Sequence, residues 1–201
     1  MKRTLSVLPA ALAVMACGPA ADRTTPAIAE AATGPAAPEV TTLPPSVAAL
    51  AIKNVRVPAP GLLTAGQLTE SQLAALEQLG YRHFVSLREA GENGAGWEEA
   101  YAAEHGIDFV RLPVAGAAGV TSEHARELAD TLEKAGDEPV VLYCGSSNRV
   151  GALLALKAHE IDGKDAPEAL NFGLSAGLTR LEPVVRRKLG LSDVEAEEST
   201  D

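Results

Sequence analysis

The chain has 201 residues, a formal net charge of −10 and 46% hydrophobic residues, with aromatic residues at only 3%. That length allows one ordinary domain with tails, and that composition requires a core of Ala, Leu and Val. The one basic cluster, residues 186–188, is too short to form the patch that neutralises a phosphate backbone, so the charge argues against nucleic acid as a partner.

The N-terminus has the pattern of an export signal. Lys2 and Arg3 precede an apolar run over residues 5–16 that is too short to span a bilayer. The run ends in the sequence VMAC, which resembles a bacterial lipoprotein box whose cysteine, here Cys17, is lipidated. We therefore expect export to the periplasm or cell envelope, with a lipid at Cys17 as the only membrane anchor. An ordinary cleaved secretory signal is the alternative.

Composition divides the remaining chain into three parts. Residues 18–50 are rich in Pro, Ala and Thr and predict a disordered tether, and residues 193–201 predict an acidic disordered tail. Residues 51–192 between them predict a single α/β domain. Since lipidation of Cys17 would leave Cys144 without a disulfide partner in an oxidising compartment, Cys144 is expected to be either buried and inert or functional.

Strand-like and helix-like segments alternate along this domain. The predicted strands are NVRVP, GLLTAG, RHFVSL, IDFVRLPV and PVVLYC, and helices are predicted between and after them. Three helices have capping signals, with Thr69 and Gln72, Asp165 and Glu168, and Thr179 and Glu182 as the capping pairs. The alternation predicts a mostly parallel central sheet of about four to five strands flanked by helices. Ligands of such sheets bind beyond the carboxyl ends of the strands.

Cys144 follows the last predicted strand, in the segment VVLYCGSSNRVGALLAL over residues 140–156. A loop that enters a helix N-terminus directs unpaired backbone N–H groups and the positive end of the helix dipole at one point. The small or polar residues Gly145, Ser146, Ser147 and Asn148 would let this backbone surround an anion. The same field favours the thiolate form of a cysteine, which is the nucleophilic form.

Arg149 decides between this interpretation and a structural one. Cys144 could be a small buried apolar residue, and Ser147 or Asn148 an ordinary helix cap. An arginine in the first turn of a helix, however, opposes the helix dipole unless an anion lies nearby. Its planar fork suits bidentate binding of an oxyanion. The pattern therefore favours a nucleophile and anion-binding loop.

The segment CGSSNRVGALLAL resembles the active-site loop of the protein tyrosine phosphatase superfamily. Together with LLTAGQLTESQLAALEQLGYRHFVSLRE and GIDFVRLPV, it resembles more closely the beta-lactamase hydrolase-like, phosphatase-like domain family, also described as sulfur-transferase-like. The resemblance implies the fold of that superfamily, with Cys144 as the nucleophile that attacks phosphorus. It also implies Arg149 as the clamp on the phosphoryl oxygens and a phosphorylated or other oxyanionic substrate.

The loop departs from ordinary tyrosine phosphatases at several positions. Arg149 follows the cysteine by five residues where those enzymes have six, as in the resembling branch and in many rhodanese sulfurtransferases. Tyr143 replaces a histidine, and Val150 replaces a hydroxyl residue that assists the leaving thiolate. Ser147 stands where the family often has glycine, so a left-handed backbone there would cost energy.

The general acid of the phosphatases has no counterpart in the expected loop. The segment VAGAAGV over residues 114–120 contains no carboxylate. Glu89, Glu92 and Glu123 are the nearby substitutes, although solvated surface charge is the simpler interpretation of each. Arg88 ends the second strand of the predicted active edge, where it could contact ligand or anchor the loop through an ion pair.

The remaining residues indicate no metal site and no cofactor. The four histidines have no metal-ligand spacing, and no Cys-x-x-Cys pair occurs. The sequence gives no indication of oligomeric state.

Three functions are compatible with the cysteine loop. In order of preference, they are a cysteine-dependent phosphatase-like hydrolase, a rhodanese-like sulfurtransferase that carries a persulfide on Cys144, and a non-catalytic module that binds an oxyanion or a partner.

Overall fold

The computed structural model describes residues 42–191. The predicted signal with Cys17, most of the predicted tether and the predicted tail over residues 193–201 lie outside the described residues. The elements, in chain order, are α1 (Pro45–Ala48), β1 (Arg56–Ala59), β2 (Leu62–Ala65), α2 (Glu70–Gln78), β3 (His83–Ser86), α3 (Glu98–His105), β4 (Asp108–Arg111), α4 (Ser122–Ala135), β5 (Val140–Tyr143), α5 (Asn148–Glu160), α6 (Ala166–Ser175) and α7 (Glu182–Lys188).

Within residues 42–191, five strands form one sheet in the order β1-β2-β5-β3-β4. Only β1 is antiparallel, to β2, and the other pairs are parallel. Tyr143, the last residue of β5, pairs with Ala65 on one side and Ser86 on the other. The predicted mostly parallel α/β sheet is confirmed, and its central strand is the one that leads to Cys144.

Helices cover both faces of the sheet, as the continuous apolar strands require. One apolar core lies between the sheet and α4 to α7, and is formed largely by the buried face of α5, including Leu153 and Leu156. The other core lies between the sheet and α1 to α3, and includes Leu73, Leu76 and Phe84. None of the helices within residues 42–191 is long and apolar enough to cross a membrane.

Two of the three predicted helix caps have the expected geometry. The N–H of Gln72 donates to Thr69 Oγ1 at 3.3 Å and the Gln72 side chain accepts from the Thr69 N–H at 3.0 Å, which completes a capping box. The N–H of Glu168 donates to Asp165 Oδ1 at 2.8 Å. The prediction for Thr179 is wrong, because α7 begins at Glu182 and the Thr179 hydroxyl bonds to a side chain of α5.

The last residues of the predicted tether pack against the domain. Helix α1 lies at positions 45–48, and Val47 on it is 1% exposed in the core beside α2. The side chain of Gln72 also donates to the Leu50 carbonyl at 3.1 Å. Ordered structure therefore begins before residue 51, because this segment has apolar side chains that the α2 face can bury.

Helices α5 and α6 touch at two glycines. A Cβ on Gly151 would lie 2.5 Å from the Gly173 carbonyl oxygen, and a Cβ on Gly173 would lie 2.6 Å from the Gly151 carbonyl oxygen. Real side chains do not approach so closely, so the two helices require glycine at both positions. This contact holds α6 against the first turns of α5, which follow directly after the cysteine loop.

Candidate active site

Cys144 lies directly after β5, at the carboxyl end of the central strand, as the sequence predicts. Its N–H donates to the Ala65 carbonyl at 3.3 Å, which extends the pairing with β2 by one residue. The residue is 1% exposed. The sulfur is therefore held by the sheet rather than by a loose loop, while its role as a nucleophile stays a prediction.

The loop after Cys144 has its carbonyl groups bonded to neighbouring structure. Gly145 O accepts from the Gln67 N–H at 3.4 Å, and Ser146 O accepts from Asn54 Nδ2 at 3.0 Å. Ser147 O accepts from the Gly151 N–H at 2.9 Å. Because the C=O and N–H of a trans peptide unit point in opposite directions, the N–H that follows each bonded carbonyl points away from that carbonyl's partner. An anion cradle formed by these N–H groups stays a prediction.

Ser147 occupies a left-handed backbone conformation, with φ 66° and ψ −6°. The expected energetic cost of a non-glycine residue is therefore present. Ser147 is the residue before α5, but its hydroxyl does not cap the helix and instead donates to the Ala176 carbonyl at 2.8 Å. The ordinary capping role considered for Ser147 is wrong, because its side chain is buried against the end of α6.

The side chain of Asn148 also has a structural partner. Its Oδ1 accepts from the Thr179 N–H at 2.8 Å, from the Thr179 hydroxyl at 3.2 Å and from the Leu181 N–H at 3.2 Å. These bonds hold the segment between α6 and α7 against the start of α5. Asn148 can thus contribute to an anion site through its backbone N–H, and its amide oxygen is already in use.

The guanidinium of Arg149 is fixed on one of its edges. Nη1 donates to the carbonyls of Leu87 at 3.2 Å and Val114 at 2.9 Å, and to Glu92 Oε1 at 2.6 Å. Nη2 donates to Glu92 Oε2 at 2.8 Å. Within the described residues Nε makes no hydrogen bond, so the edge formed by Nε and Nη2 keeps N–H groups for another acceptor.

The guanidinium also lies beside the cysteine loop. Nη2 lies 3.6 Å from where a Cβ on Gly145 would stand. The hydrogen bond to Glu92 raises the pKa of Arg149, against an opposing effect of burial, and the proximity of Cys144 acts in the same direction as Glu92. A planar fork with a free edge beside a sulfur and a turn of backbone amides can bind a tetrahedral oxyanion.

Glu92 receives four hydrogen-bond donors, two on each carboxylate oxygen. Besides Arg149, these are the Glu89 N–H on Oε1 at 3.0 Å and Arg88 Nε on Oε2 at 3.2 Å. The bond to Arg149 lowers the pKa of Glu92 to about 2, although burial acts in the opposite direction. Glu92 is therefore wrong as a substitute general acid, because it carries no proton at neutral pH that it could donate.

Arg88, the predicted possible ligand contact, is 4% exposed. Besides Glu92, its guanidinium binds the Asn93 carbonyl through Nη2 at 2.9 Å, while Nη1 is buried and has no hydrogen-bond partner among residues 42–191. Of the two interpretations offered by the sequence, the observed contacts match the loop-anchoring ion pair. Direct contact with ligand stays a prediction.

No carboxylate replaces the missing acid in the expected loop. Residues 114–120 form a compact turn closed by backbone bonds such as Gly119 N–H to Ala115 O at 3.0 Å. Glu89 and Glu123, the other substitutes, have exposed side chains. Within residues 42–191, none of these three glutamates therefore provides a proton-bearing carboxyl beside Arg149 and Cys144.

Asn54 is a site residue that sequence reasoning missed. It has a left-handed backbone, with φ 51°, and holds the Ser146 carbonyl from a position 92 residues away in the chain. No local pattern marks such a partner, because the contact exists only after β1 and β2 bring the two segments together.

Residues 42–191 contain no group of three or more His, Cys, Asp or Glu side chains that could hold a metal ion.

The chain matches no protein-family model and no curated protein. Its structure, however, is similar to many solved ones. A candidate phosphatase (DUF442) from Shewanella putrefaciens CN-32 has a TM-score of 0.55 and 18% identity, over 74% of this chain and 94% of that one. A candidate phosphatase from Neisseria meningitidis z2491 has a TM-score of 0.55 and 16% identity, over 67% of this chain and 97% of that one.

TpbA from P. aeruginosa has a TM-score of 0.50 and 19% identity, over 71% of this chain and 86% of that one. Likeness at such identities establishes the fold and leaves function to the site. The narrower resemblance to the beta-lactamase hydrolase-like branch stays a prediction, as does the lipoprotein assignment. Within residues 42–191, the mostly parallel sheet with helices on both faces, together with these neighbours, shows that the chain shares the α/β fold of these solved structures.

Proposed function

We propose that this protein is a cysteine-dependent, phosphatase-like hydrolase of phosphate monoesters. The observation that carries the proposal is the geometry of Arg149, whose Nη1 and Nη2 are held by Glu92 while Nη2 also lies beside the loop of Cys144. A guanidinium oriented before ligand arrives needs no reorganisation as negative charge develops on the phosphoryl oxygens.

The reaction proceeds in two displacements at phosphorus. The Cys144 thiolate attacks, a sulfur–phosphorus bond forms, and the ester P–O bond breaks with its electron pair passing to the leaving oxygen. Arg149 and the loop amides hold the three non-bridging oxygens. Water then attacks the phosphocysteine, the sulfur–phosphorus bond breaks, and the thiolate and inorganic phosphate are released. The leaving oxygen takes its proton from solvent, since no carboxyl group in the described site supplies one.

We also propose that the protein is exported and acts outside the cytosol. The support is the sequence alone: the short apolar run before Cys17 and the Pro- and Thr-rich segment that follows it. Metabolic labelling with a palmitate analogue, followed by membrane fractionation, tests the anchor. Wild-type chain is expected in the membrane fraction with label, and Cys17→Ser chain is expected without it. Label that persists in Cys17→Ser would contradict the proposed anchor.

A sulfurtransferase is the second candidate, favoured by the carboxylate-free loop over residues 114–120. Transfer of sulfur from thiosulfate needs no acid for an alkoxide. The Cys144 thiolate would attack the outer sulfur, the S–S bond of thiosulfate would break, and sulfite would leave with the electron pair. The product is a Cys144 persulfide. A site that binds oxyanions without turnover is the third candidate.

One set of assays separates the three. The purified chain is incubated with 4-nitrophenyl phosphate and, separately, with thiosulfate, and acid-quenched samples are analysed by mass spectrometry. We expect turnover of the phosphate ester that Cys144→Ser abolishes, and a phosphate adduct on Cys144. A sulfur adduct without ester turnover would favour the sulfurtransferase. Ester turnover that persists in Cys144→Ser would overturn the nucleophile assignment.

A further inference from the structure

A polar set lies buried behind the cysteine strand, in the core formed with α1 to α3. Glu98, the first residue of α3, is 0% exposed, and the hydroxyls of Ser86 and Tyr143 are buried on the same face of the sheet. Ser86 pairs with Tyr143 on β5 and with Arg111 on β4, so the three side chains are adjacent across neighbouring strands. Tyr143 is joined directly to Cys144.

Glu98 is at the centre of this set. Its Oε2 lies 2.9 Å from Arg111 Nη2. Burial raises the pKa of Glu98, while the charge of Arg111 and the proximity of the Ser86 and Tyr143 hydroxyls oppose that rise. Within the described residues, the carboxyl oxygens and both hydroxyls lack hydrogen bonds of good geometry.

Burying these polar groups in the core lowers the stability of the folded chain. Burying a carboxyl and two hydroxyls without well-aligned partners costs free energy that an apolar residue at position 98 would avoid. A negative charge at the start of α3 would interact favourably with the helix dipole, but the half-exposed Glu99 already provides such a charge. The position therefore calls for a role beyond filling the core.

Arg111 connects this set to the segment that carries Glu92. Its Nη1 donates to the Arg88 carbonyl at 3.0 Å and its Nη2 donates to the Ala95 carbonyl at 3.0 Å. These carbonyls lie at the two ends of residues 88–95, and Glu92 lies between them. The same arginine that contacts Glu98 thus fixes the segment whose carboxylate holds Arg149.

We propose that Glu98 is a positioning residue, which sets the end of β5 and the segment over residues 88–95 relative to each other through Tyr143 and Arg111. Glu98 touches neither the reacting atoms nor the anion. Its effect reaches Cys144 along the chain from Tyr143, and it reaches Arg149 through Arg111 and Glu92. The inference rests on the proposed function, but it can be measured by anion binding alone.

The test uses tungstate, a tetrahedral oxyanion, as the probe, and isothermal titration calorimetry of the full chain as the measurement. Glu98→Leu removes all polar contacts of the side chain and is expected to weaken tungstate binding about tenfold, the loss typical for one misaligned charge-assisted contact. Glu98→Gln keeps the shape and the hydrogen-bonding groups and is expected to stay within about threefold of wild type. Glu104→Gln changes an exposed glutamate of the same helix and is the control, expected to match wild type.

A double-mutant cycle distinguishes positioning from general destabilisation. If Glu98 acts through Glu92, the effect of Glu98→Leu in a Glu92→Gln background is expected to fall to about twofold, since residues in one network are not additive. Urea unfolding of each variant shows that it is folded during the titration. Fully additive effects, or wild-type affinity in folded Glu98→Leu chain, would overturn the proposal.

Tyr143→Phe provides the test if Glu98→Leu does not fold, because it removes only the hydroxyl. It is expected to weaken tungstate binding about threefold, and unchanged affinity would overturn the proposal. The outcome for the proposed function is separate. Wild-type chain that binds tungstate but leaves aryl phosphates intact would end the hydrolase proposal while the positioning effect of Glu98 is still measured.

Discussion

The carboxylate of Glu92 holds the guanidinium of Arg149 through two hydrogen bonds, from Nη1 to Oε1 at 2.6 Å and from Nη2 to Oε2 at 2.8 Å. Both side chains are largely buried, with exposed fractions of 14% for Arg149 and 26% for Glu92. This pair fixes the orientation of the guanidinium beside the cysteine loop.

Glu92→Gln is expected to lower kcat/KM for an aryl phosphate about tenfold, because the neutral amide keeps one contact with Arg149 and loses the charge-assisted pair. Steady-state kinetics of the purified chain measure the effect. Glu89→Gln changes an exposed carboxylate in the same segment and is the control, expected to match wild type. Faster turnover in Glu92→Gln would mean that Glu92 competes with the substrate phosphate.

The pH dependence of stability follows from the same pair. Glu92 has a pKa of about 2 in the folded chain against an ordinary value of 4.5. Because the folded value is the lower one, the contribution to the free energy of unfolding is fully present above the ordinary pKa and is lost as pH falls towards the folded pKa. Urea unfolding of wild type and Glu92→Gln is expected to differ by a constant amount from neutral pH down to about 5.5, and by less between pH 4.5 and 2. A difference that grows on acidification would contradict this assignment.

Ser147 combines a strained backbone with a buried hydrogen bond. Ser147→Ala keeps φ at 66° and loses the bond to Ala176 O, so it is expected to be less stable than wild type by about 1 kcal/mol. Ser147→Gly loses the same bond but relieves the left-handed strain, and is expected to be more stable than Ser147→Ala by about 1 kcal/mol. Urea unfolding compares the two. Equal stability would show that the left-handed conformation is without cost at this position.

Asn54 is expected to stabilise the loop after Cys144 through its hydrogen bond to the Ser146 carbonyl. Asn54→Gly permits the same left-handed backbone and removes only the amide that donates to Ser146 O. We expect tungstate binding to weaken about threefold, since one neutral hydrogen bond to the loop is lost. Isothermal titration calorimetry measures the change. Affinity equal to wild type would show that the loop keeps its shape without this contact.

The missing carboxyl predicts a steep dependence of rate on the leaving group. Without a proton donor, the leaving oxygen departs as an anion, so aryl phosphates with electron-withdrawing substituents should react much faster than those without. Initial rates over a substituted phenyl phosphate series measure the slope. Nearly equal rates across the series would reveal a proton donor in the bound state, which the described residues do not place beside Cys144.

Much of the architecture could be predicted because it depends on local patterns. The capping box of Thr69 and Gln72, the glycine at the end of α3 and the apolar run of β5 each act over a few residues. Hydrophobic periodicity therefore predicts the elements and their order. The start of α7 was mispredicted at Thr179, because its hydroxyl bonds to Asn148 of a different helix, and no local pattern shows that competition.

The sequence by itself determined the strand, the cysteine, the loop and the arginine, since all four lie within one segment of ten residues, 140–149, whose geometry is largely local. Only the tertiary structure decided what holds that arginine and what supports the loop. Glu92, Asn54 and Glu98 come from distant parts of the chain, and their contacts form when the parallel strands align their carboxyl ends. A side chain's partner across a sheet edge depends on that alignment, which hydrophobic periodicity does not encode.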